Sequence, residues 1–371
     1  MHVNRRRMAA VRSIRWRRTS QRADASTPCR CTAAPAVACD ILRPVNTHTF
    51  PTLRLLAGAE FRSGEDIAAH LGVTRATVWN VIRQVETLGV PVEKVRGLGY
   101  RIAHPPVWLD AAQVASHLGT GAARFDVSVV EEVGSTNTLL LEGAVAGAPS
   151  GTVIAAELQS GGRGRRGRTW ISGLGGALTF SVLWRFEHGG AALSGLSLVV
   201  GLACARAVTA VGARGVGVKW PNDLQSAGRK LGGILIELQG DALGPSAVVI
   251  GIGLNVRLPA SLVAAVDQPV IDLVSIGGTD DRNEVLAAVL GELDICIGRF
   301  QAGGFAALES EFRKWHVLQG KDVGVHLPDG TRIDGRVSGT ADDGALIVRT
   351  EEGDRRFHGG EVSVRPAART A

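Results

Sequence analysis

Four arginines stand within seven residues at Gly162-Arg163-Gly164-Arg165-Arg166-Gly167-Arg168, followed by Thr169 and Trp170. Each guanidinium offers a planar fork of donors suited to phosphate and carboxylate oxygens. The glycines between them let backbone approach a ligand closely and keep the loop mobile. Because the surrounding sequence is apolar, the pattern points to a loop that folds over an anionic ligand. A solvated basic loop or an RNA-binding RG tract has the same composition, and the loop by itself does not separate these readings.

Further polar groups recur at the ends of apolar runs. Gly134-Ser135-Thr136-Asn137 opens a helix after a strand, where free N–H groups and short polar side chains form a small polar site; a plain helix cap is the competing reading. Val153 to Leu158 reads as a buried strand that delivers Gln159 into the arginine loop. The chain has only five lysines against 36 arginines, and two of them, Lys219 and Lys230, fall in adjacent segments. Lysine serves as a compact point charge where a guanidinium fork would not fit, so both are candidate functional cations. Gly232-Gly233 would let strand backbone lie against a flat ligand. Val248 to Ile252 is a buried strand that ends in Gly253-Leu254-Asn255, with a carboxamide at its tip. No Ser-His-Asp or Cys-His set emerges, and no metal-ligand cluster is evident.

The elements that must position these groups fall into segments. Residues 51–104 read as a winged helix-turn-helix: Ser63 opens a short helix, Gly72 makes the turn, and Thr74 caps a second helix with Val78, Ile82 and Val85 at helical spacing. Arg75, Thr77 and Asn80 lie near the start of that second helix, off its apolar stripe, where base edges are contacted. Two alternating runs around Arg96-Gly97-Leu98-Gly99 make a wing, with Lys94, Arg96 and Arg101 available to phosphates. Seven basic against five acidic residues over 51–104 is a modest charge, so one module would bind DNA weakly and a homodimer reading two half-sites is expected. A module used only for protein contacts is the alternative. Residues 105–109 form a proline-stiffened linker, 110–316 the catalytic body, and 317–366 a small all-β barrel with Asp329-Gly330, Asp342-Asp343-Gly344 and Glu352-Gly353 at its turns. Residues 367–371 read as a frayed tail.

The 371 residues carry a formal charge of +6, but residues 1–50 hold ten arginines and two aspartates, which leaves the other 321 residues with two negative charges in excess. Overall basicity therefore says little about the partners of the body. The leader resembles an organellar transit peptide or a nonspecific nucleic-acid arm, or a start site placed too far upstream; disorder without an essential role is expected of it. Cys29-x-Cys31 with Cys39 is a poor match to a metal site, and with Cys204 and Cys296 the five cysteines suit a reduced, cytoplasmic protein. No run of 18 apolar residues exists, so no transmembrane helix is expected.

The motifs Gly162–Arg168, Lys219-Trp220-Pro221-Asn222-Asp223, Arg229-Lys230-Leu231-Gly232-Gly233 and Gly251-Ile252-Gly253-Leu254-Asn255 occur together in this order. Four such motifs resemble the biotin protein ligase family over about residues 52–366. The helix-turn-helix in front resembles its bifunctional form, which also represses biotin-synthesis genes. The resemblance implies an α+β protein: a winged helix-turn-helix, a mixed-sheet catalytic domain related to class II aminoacyl-tRNA synthetases, and an SH3-like barrel. It implies ATP and biotin as substrates, with Mg²⁺ brought on the ATP, and formation of biotinyl-5′-AMP followed by transfer to a lysine of a biotin carboxyl carrier domain.

By the same resemblance, Ser135, Thr136, Asn137 and Gln159 meet the ureido ring and tail of biotin. Arg163, Gly164 and Arg165 wall the valerate and phosphate, and Lys230 contacts carboxylate and phosphoryl oxygens, with Lys230 and Arg165 the catalytic pair. Arg168, Trp170, Lys219, Asn222 and Asn255 line the ATP or adenylate side, Asn255 meeting adenine or ribose. Asp223 is a candidate to orient or deprotonate the attacking lysine. Operator DNA is the second implied partner. A biotin-sensing regulator without ligase activity and a lipoate or octanoate ligase are the rival functions. Thr169 departs from the family, where lysine is common, and so does the Arg-rich leader.

Overall fold

The computed structural model describes residues 44–366 apart from 59, 103, 241–243 and 360–361. Residues 1–43 and 367–371, with the readings made for the leader, its three cysteines and the tail, lie outside the described residues. Residues 44–50, assigned above to the disordered leader, are described, and helix α1 (Thr49–Leu56) opens among them. The reason is a stripe of Phe50, Leu53 and Leu56 that is buried with the rest of this module.

Helices α2 (Gly64–Leu71) and α3 (Arg75–Thr87) follow. Ser63 Oγ accepts from Asp66 N and Thr74 Oγ1 from Thr77 N, so each helix has the side-chain cap its sequence offers. Gly72 takes φ 65° between them, a left-handed turn that favours glycine. The wing pairs β1 (Glu93–Val95) with β2 (Gly99–Arg101), Glu93 opposite Arg101. The module packs on the body: Leu174 N donates to Leu88 O, and Pro259 lies so close to Gly89 that a Cβ there would sit 2.6 Å from its ring. Arg282, wholly buried, donates to Val107 O and to Glu157, while Glu157 Oε1 accepts from Leu109 N. The linker is thus fastened along its length.

After α4 (Ala111–Leu118), β3 (Asp126–Val133), α5 (Thr136–Val145), β4 (Thr152–Gln159), β5 (Ala177–Phe186) and α6 (Leu196–Ala210) come β6 (Val216–Lys219), β7 (Asp223–Ser226), β8 (Arg229–Gly240) and β9 (Ser246–Asn255). These seven strands form one sheet in the order β3-β4-β5-β9-β8-β7-β6. Only β3 and β4 pair in parallel; every other ladder is antiparallel. One face buries Phe180, Val182, Ile250 and Ile252 against α6 and α8 (Arg282–Gly303); a short α7 (Ala260–Ala265) precedes α8 in the chain. The other face carries α5 and the site. Cys204 and Cys296 are buried; burial raises both thiols, that of Cys296 to about 11, so neither has thiolate character. Among the described residues no helix is long and apolar enough to cross a membrane.

After α9 (Ala306–Trp315) the chain ends in β10 (Asp322–His326), β11 (Arg332–Thr340), β12 (Leu346–Thr350), β13 (Gly353–Phe357) and β14 (Ser363–Pro366). They make a five-stranded antiparallel sheet, β13-β12-β11-β10-β14, with its turns at the three Gly-containing sites of the sequence. His316, buried at the joint with this sheet and stacked on Phe312, is held by burial at a pKa of about 4 against its usual 6.5, with Gln319 offsetting in part. Between these values the unfolded chain binds the proton and the folded chain does not, so stability falls as pH falls. We expect His316 to cost about 2 kcal/mol between pH 7 and pH 5. Denaturant unfolding of wild type and His316→Gln at both pH values checks this; equal acid sensitivity would refute it.

Candidate active site

The sheet face below α5 is cut away by glycine. Residues 251 and 253 of β9 point to this face; a Cβ at 251 would lie 2.2 Å from Asn137 Oδ1, and one at 253 would lie 2.5 Å from Trp170 Cε2. Their absence seats the carboxamide and the indole directly on the strand, and a cavity of about 1090 Å³ opens beside them.

At one end the groups are polar and ordered. Ser135 is the N-cap of α5, yet its hydroxyl makes no cap bond, so it is left for another partner. Thr136 N donates to Gln159 Oε1 at 2.7 Å, which turns the Gln159 amide nitrogen the other way. Ser181 Oγ, from β5, lies 2.7 Å from Thr136 Oγ1 and donates to Asn137 Oδ1 at 2.6 Å. Asn137 Nδ2 donates in turn to Glu237 Oε2 and Leu235 O. The result is a fixed pattern of donors and acceptors on a half-apolar floor that includes Leu235.

The arginine loop crosses above. Trp170 N bonds Gly162 O and Gly164 N bonds Arg168 O, closing its neck, while Arg166 and Gly167 take left-handed φ of 56° and 71° at the tip. Arg163 reaches Glu237 Oε2 at 2.8 Å, the same oxygen that holds Asn137, and Arg165 donates to Asn222 Oδ1 at 2.8 Å. Arg163, Gly164, Arg165 and Arg168 all line the cavity.

At the other end cations gather. Lys230 Nζ lies 2.9 Å from Asp223 Oδ1 and 5.9 Å from the centre of the Trp170 ring. Lys219 lies nearby, its ammonium pulled below its ordinary value by burial and, with Asp223 opposing, by Lys230, Arg365 and Arg168. Burial likewise lowers Arg165, and Arg166 and Arg168 add to the effect against Asp223. Mutual repulsion among desolvated cations is relieved by an anion, so this end is built to receive several negative charges.

The structure brings together Ser135, Thr136, Asn137, Gln159, Arg163, Gly164, Arg165, Arg168, Trp170, Lys219, Asn222, Asp223 and Lys230 around one cavity. Asn255 is the exception. It is 4% exposed, and its amide donates to Lys230 O and Ile271 O. A buried carboxamide must be satisfied, and here it is spent on the backbone that carries Lys230 rather than on adenine or ribose. Thr77 also departs from expectation: it is half-buried, its hydroxyl against that of Thr74, while Arg75 and Asn80 are exposed.

The sequence reading missed Ser181, Glu237 and Arg365. Glu237 follows the glycine pair at strand spacing on the site face, a signal that was available. Arg365 reaches the cavity only because β14 folds over it, and nothing local announces that.

Three family models match in chain order: an HTH domain over 52–101, the biotin/lipoate A/B protein ligase family over 129–255, and the biotin protein ligase C-terminal domain over 320–365. The bifunctional ligase/repressor BirA of Escherichia coli strain K12 is 37% identical over 322 residues, 87% of this chain and 98% of that protein. The chain belongs to the biotin protein ligase family. Another relative, a biotin–[acetyl-CoA-carboxylase] ligase of Mycobacterium tuberculosis, is 34% identical over 62% of this chain and 86% of its own length. Among solved structures, the biotin protein ligase of Aquifex aeolicus in complex with biotin and ATP superposes with a TM-score of 0.56 at 30% identity, covering 65% of this chain and 99% of that one. The family's mixed catalytic sheet and its C-terminal domain are both present here, with a helix-turn-helix in front.

Proposed function

We propose that this family member joins biotin to a biotin carboxyl carrier domain at the expense of ATP, and represses transcription through its N-terminal module. The observation that carries the reading is the cavity itself: a fixed polar end, a cationic end, and an arginine loop spanning both. A cyclic urea presents N–H donors and a carbonyl acceptor, which Ser135, Thr136 and the Gln159 amide complement. The carboxylate at the end of its chain then lies among Lys230, Arg163 and Arg165.

In the first step a carboxylate oxygen attacks the α-phosphorus of ATP; the P–O bond to pyrophosphate breaks and the mixed anhydride forms. Two anions must meet, and the cations of Lys230, Arg165, Lys219 and Arg168 lower that barrier electrostatically. Mg²⁺ would accompany the ATP phosphates, and Asp223 is paired with Lys230. In the second step a neutral lysine amine attacks the acyl carbon, AMP leaves, and the amine gives up a proton. Asp223, already bonded to Lys230, serves best by holding that ammonium in place and orienting the incoming amine.

The DNA-binding module runs from the start of α1 at Thr49 to residue 104, the linker is 105–109, the catalytic domain 110–316 and the C-terminal domain 317–366. In the module, Arg75 pairs with Glu65, Lys94 with Glu86 and Arg101 with Glu93. Phosphates must compete with these partners, so a single copy binds weakly and a homodimer on two half-sites supplies the affinity. Its place is the cytoplasm, where carrier, ATP and operator meet.

Incubation with ATP, labelled biotin and a carrier domain tests the ligase; pyrophosphate release without any carrier labelling would sink it, and faster labelling with lipoate would favour the rival substrate. In the same assay we expect Arg165→Ala to synthesise adenylate but release it. The variant loses the Arg165–Asn222 bond that ties the loop across the cavity, and water then reaches an anhydride that the closed loop protects. Free biotinyl-AMP should exceed the wild-type level at least tenfold, about 1.4 kcal/mol of lost retention. A variant that neither leaks nor slows would refute the clamp.

A further inference from the structure

Helix α3 buries Val78, Val81, Ile82 and Val85 and turns Arg75, Ala76, Trp79, Asn80 and Arg83 to solvent. Trp79 is 50% exposed, the one aromatic among the exposed large hydrophobic side chains of the described residues. The guanidinium of Arg83, one turn on, lies 4.8 Å from its ring centre. An indole held open on the surface by a stacked arginine contributes little to the core beneath it, and its apolar face waits for a partner.

The surroundings say which partner. Trp79 sits midway along the exposed stripe, with Arg75 one turn before it, Arg83 one turn after and the Asn80 amide beside it. The one acid on α3, Glu86, is turned to Lys94 of the wing, so the stripe itself is cationic, although Glu65 of α2 reaches Arg75 from the side. A cationic helix face with an apolar centre and an amide complements a major groove, where thymine shows the one apolar group, its C5-methyl. An acidic protein surface would meet the arginines but leave the indole in water.

We propose that Trp79 reads sequence: its indole packs on the C5-methyl of a thymine in the major groove while Arg83, stacked on the ring, reaches the adjoining phosphate. The assignment rests on the DNA-binding reading above and goes beyond it in naming the base feature recognised. It also puts the centre of readout one residue from Asn80 and two from Thr77.

The test uses the full chain with biotin and ATP, and a duplex enriched by the wild type from a random library, with a second copy in which every thymine is replaced by uracil. Wild type should lose about tenfold or more in affinity on the uracil duplex, the size of one base contact. Trp79→Ala should bind the thymine duplex weaker by a similar factor and lose nothing further on uracil. The slope of log affinity against log salt should be unchanged for Trp79→Ala and shallower by about 1 for Arg83→Gln. Adenylate formation together with an unchanged helical circular-dichroism signal and melting curve verifies that both variants fold, the module included. Equal binding by Trp79→Ala, or an undiminished uracil penalty in it, overturns the assignment. So does a weakened self-association of Trp79→Ala without DNA, which would make the indole a protein contact. Enrichment of no duplex by the wild type would remove the DNA-binding reading as well.

Discussion

Lys230→Ala is expected to lower biotin-dependent pyrophosphate release by about a thousandfold, the upper range for removing one preorganised charge from a water-poor site. Lys230 is not a loose surface lysine. Its side chain is 17% exposed, its ammonium is fixed at 2.9 Å from Asp223, and its backbone is gripped by Pro269 O, Ile271 N and the Asn255 amide. The substitution removes a cation and leaves the Asp223 carboxylate unpaired where phosphate and biotin carboxylate must approach, so repulsion adds to the lost attraction. Binding of preformed adenylate should suffer less, because the two separate anions have by then become one. Single-turnover pyrophosphate release is the measurement, and a wild-type rate would remove Lys230 from the chemistry.

That residue was legible because composition isolates it: two of five lysines in adjacent segments, in a chain that otherwise uses arginine. The arginine loop was legible for the same kind of reason. The caps at Ser63 and Thr74 and the turns of the C-terminal sheet follow from local chemistry, and the structure has them where the residues put them. Asn255 misled because a polar residue at a strand end suits a ligand or a buried carbonyl equally well; which one it meets depends on Ile271, a loop away. Within the catalytic body, residues 282–315 gave no helix or strand reading. Helix α8 buries Val285, Val289, Leu293 and Ile297 but also Arg282 and Asn283, so no clean polar face marks it. Arg282, Glu157 and the linker carbonyl of Val107 come from three distant segments, and only the assembled sheet brings them together.

Gly251→Ala should raise the KM for biotin by about a hundredfold, because the methyl claims the space of Asn137 and about 3 kcal/mol of hydrogen bonding goes with it. Asn137 has no room to yield: Ser181 donates to it from below and Glu237 and Leu235 O hold its amide. Displacing it breaks the chain that orients Thr136 and Gln159, and loosens Glu237, the anchor of Arg163. The polar end and the loop therefore fail together, from a change of one methyl on the strand that lies against Asn137. Overpacking will also cost about 1–3 kcal/mol of stability, so a melting curve must accompany the kinetics. Gly253→Ala provides the contrast. Its methyl meets the Trp170 ring at 2.5 Å and leaves Asn137 alone, so the ureido contacts should survive while the neck of the loop is pushed open, with biotin KM rising less and adenylate retention falling more. If both variants shift biotin KM equally and neither leaks adenylate, the floor glycines are fold requirements of β9, and the division of the cavity into a polar end and a clamped end does not hold.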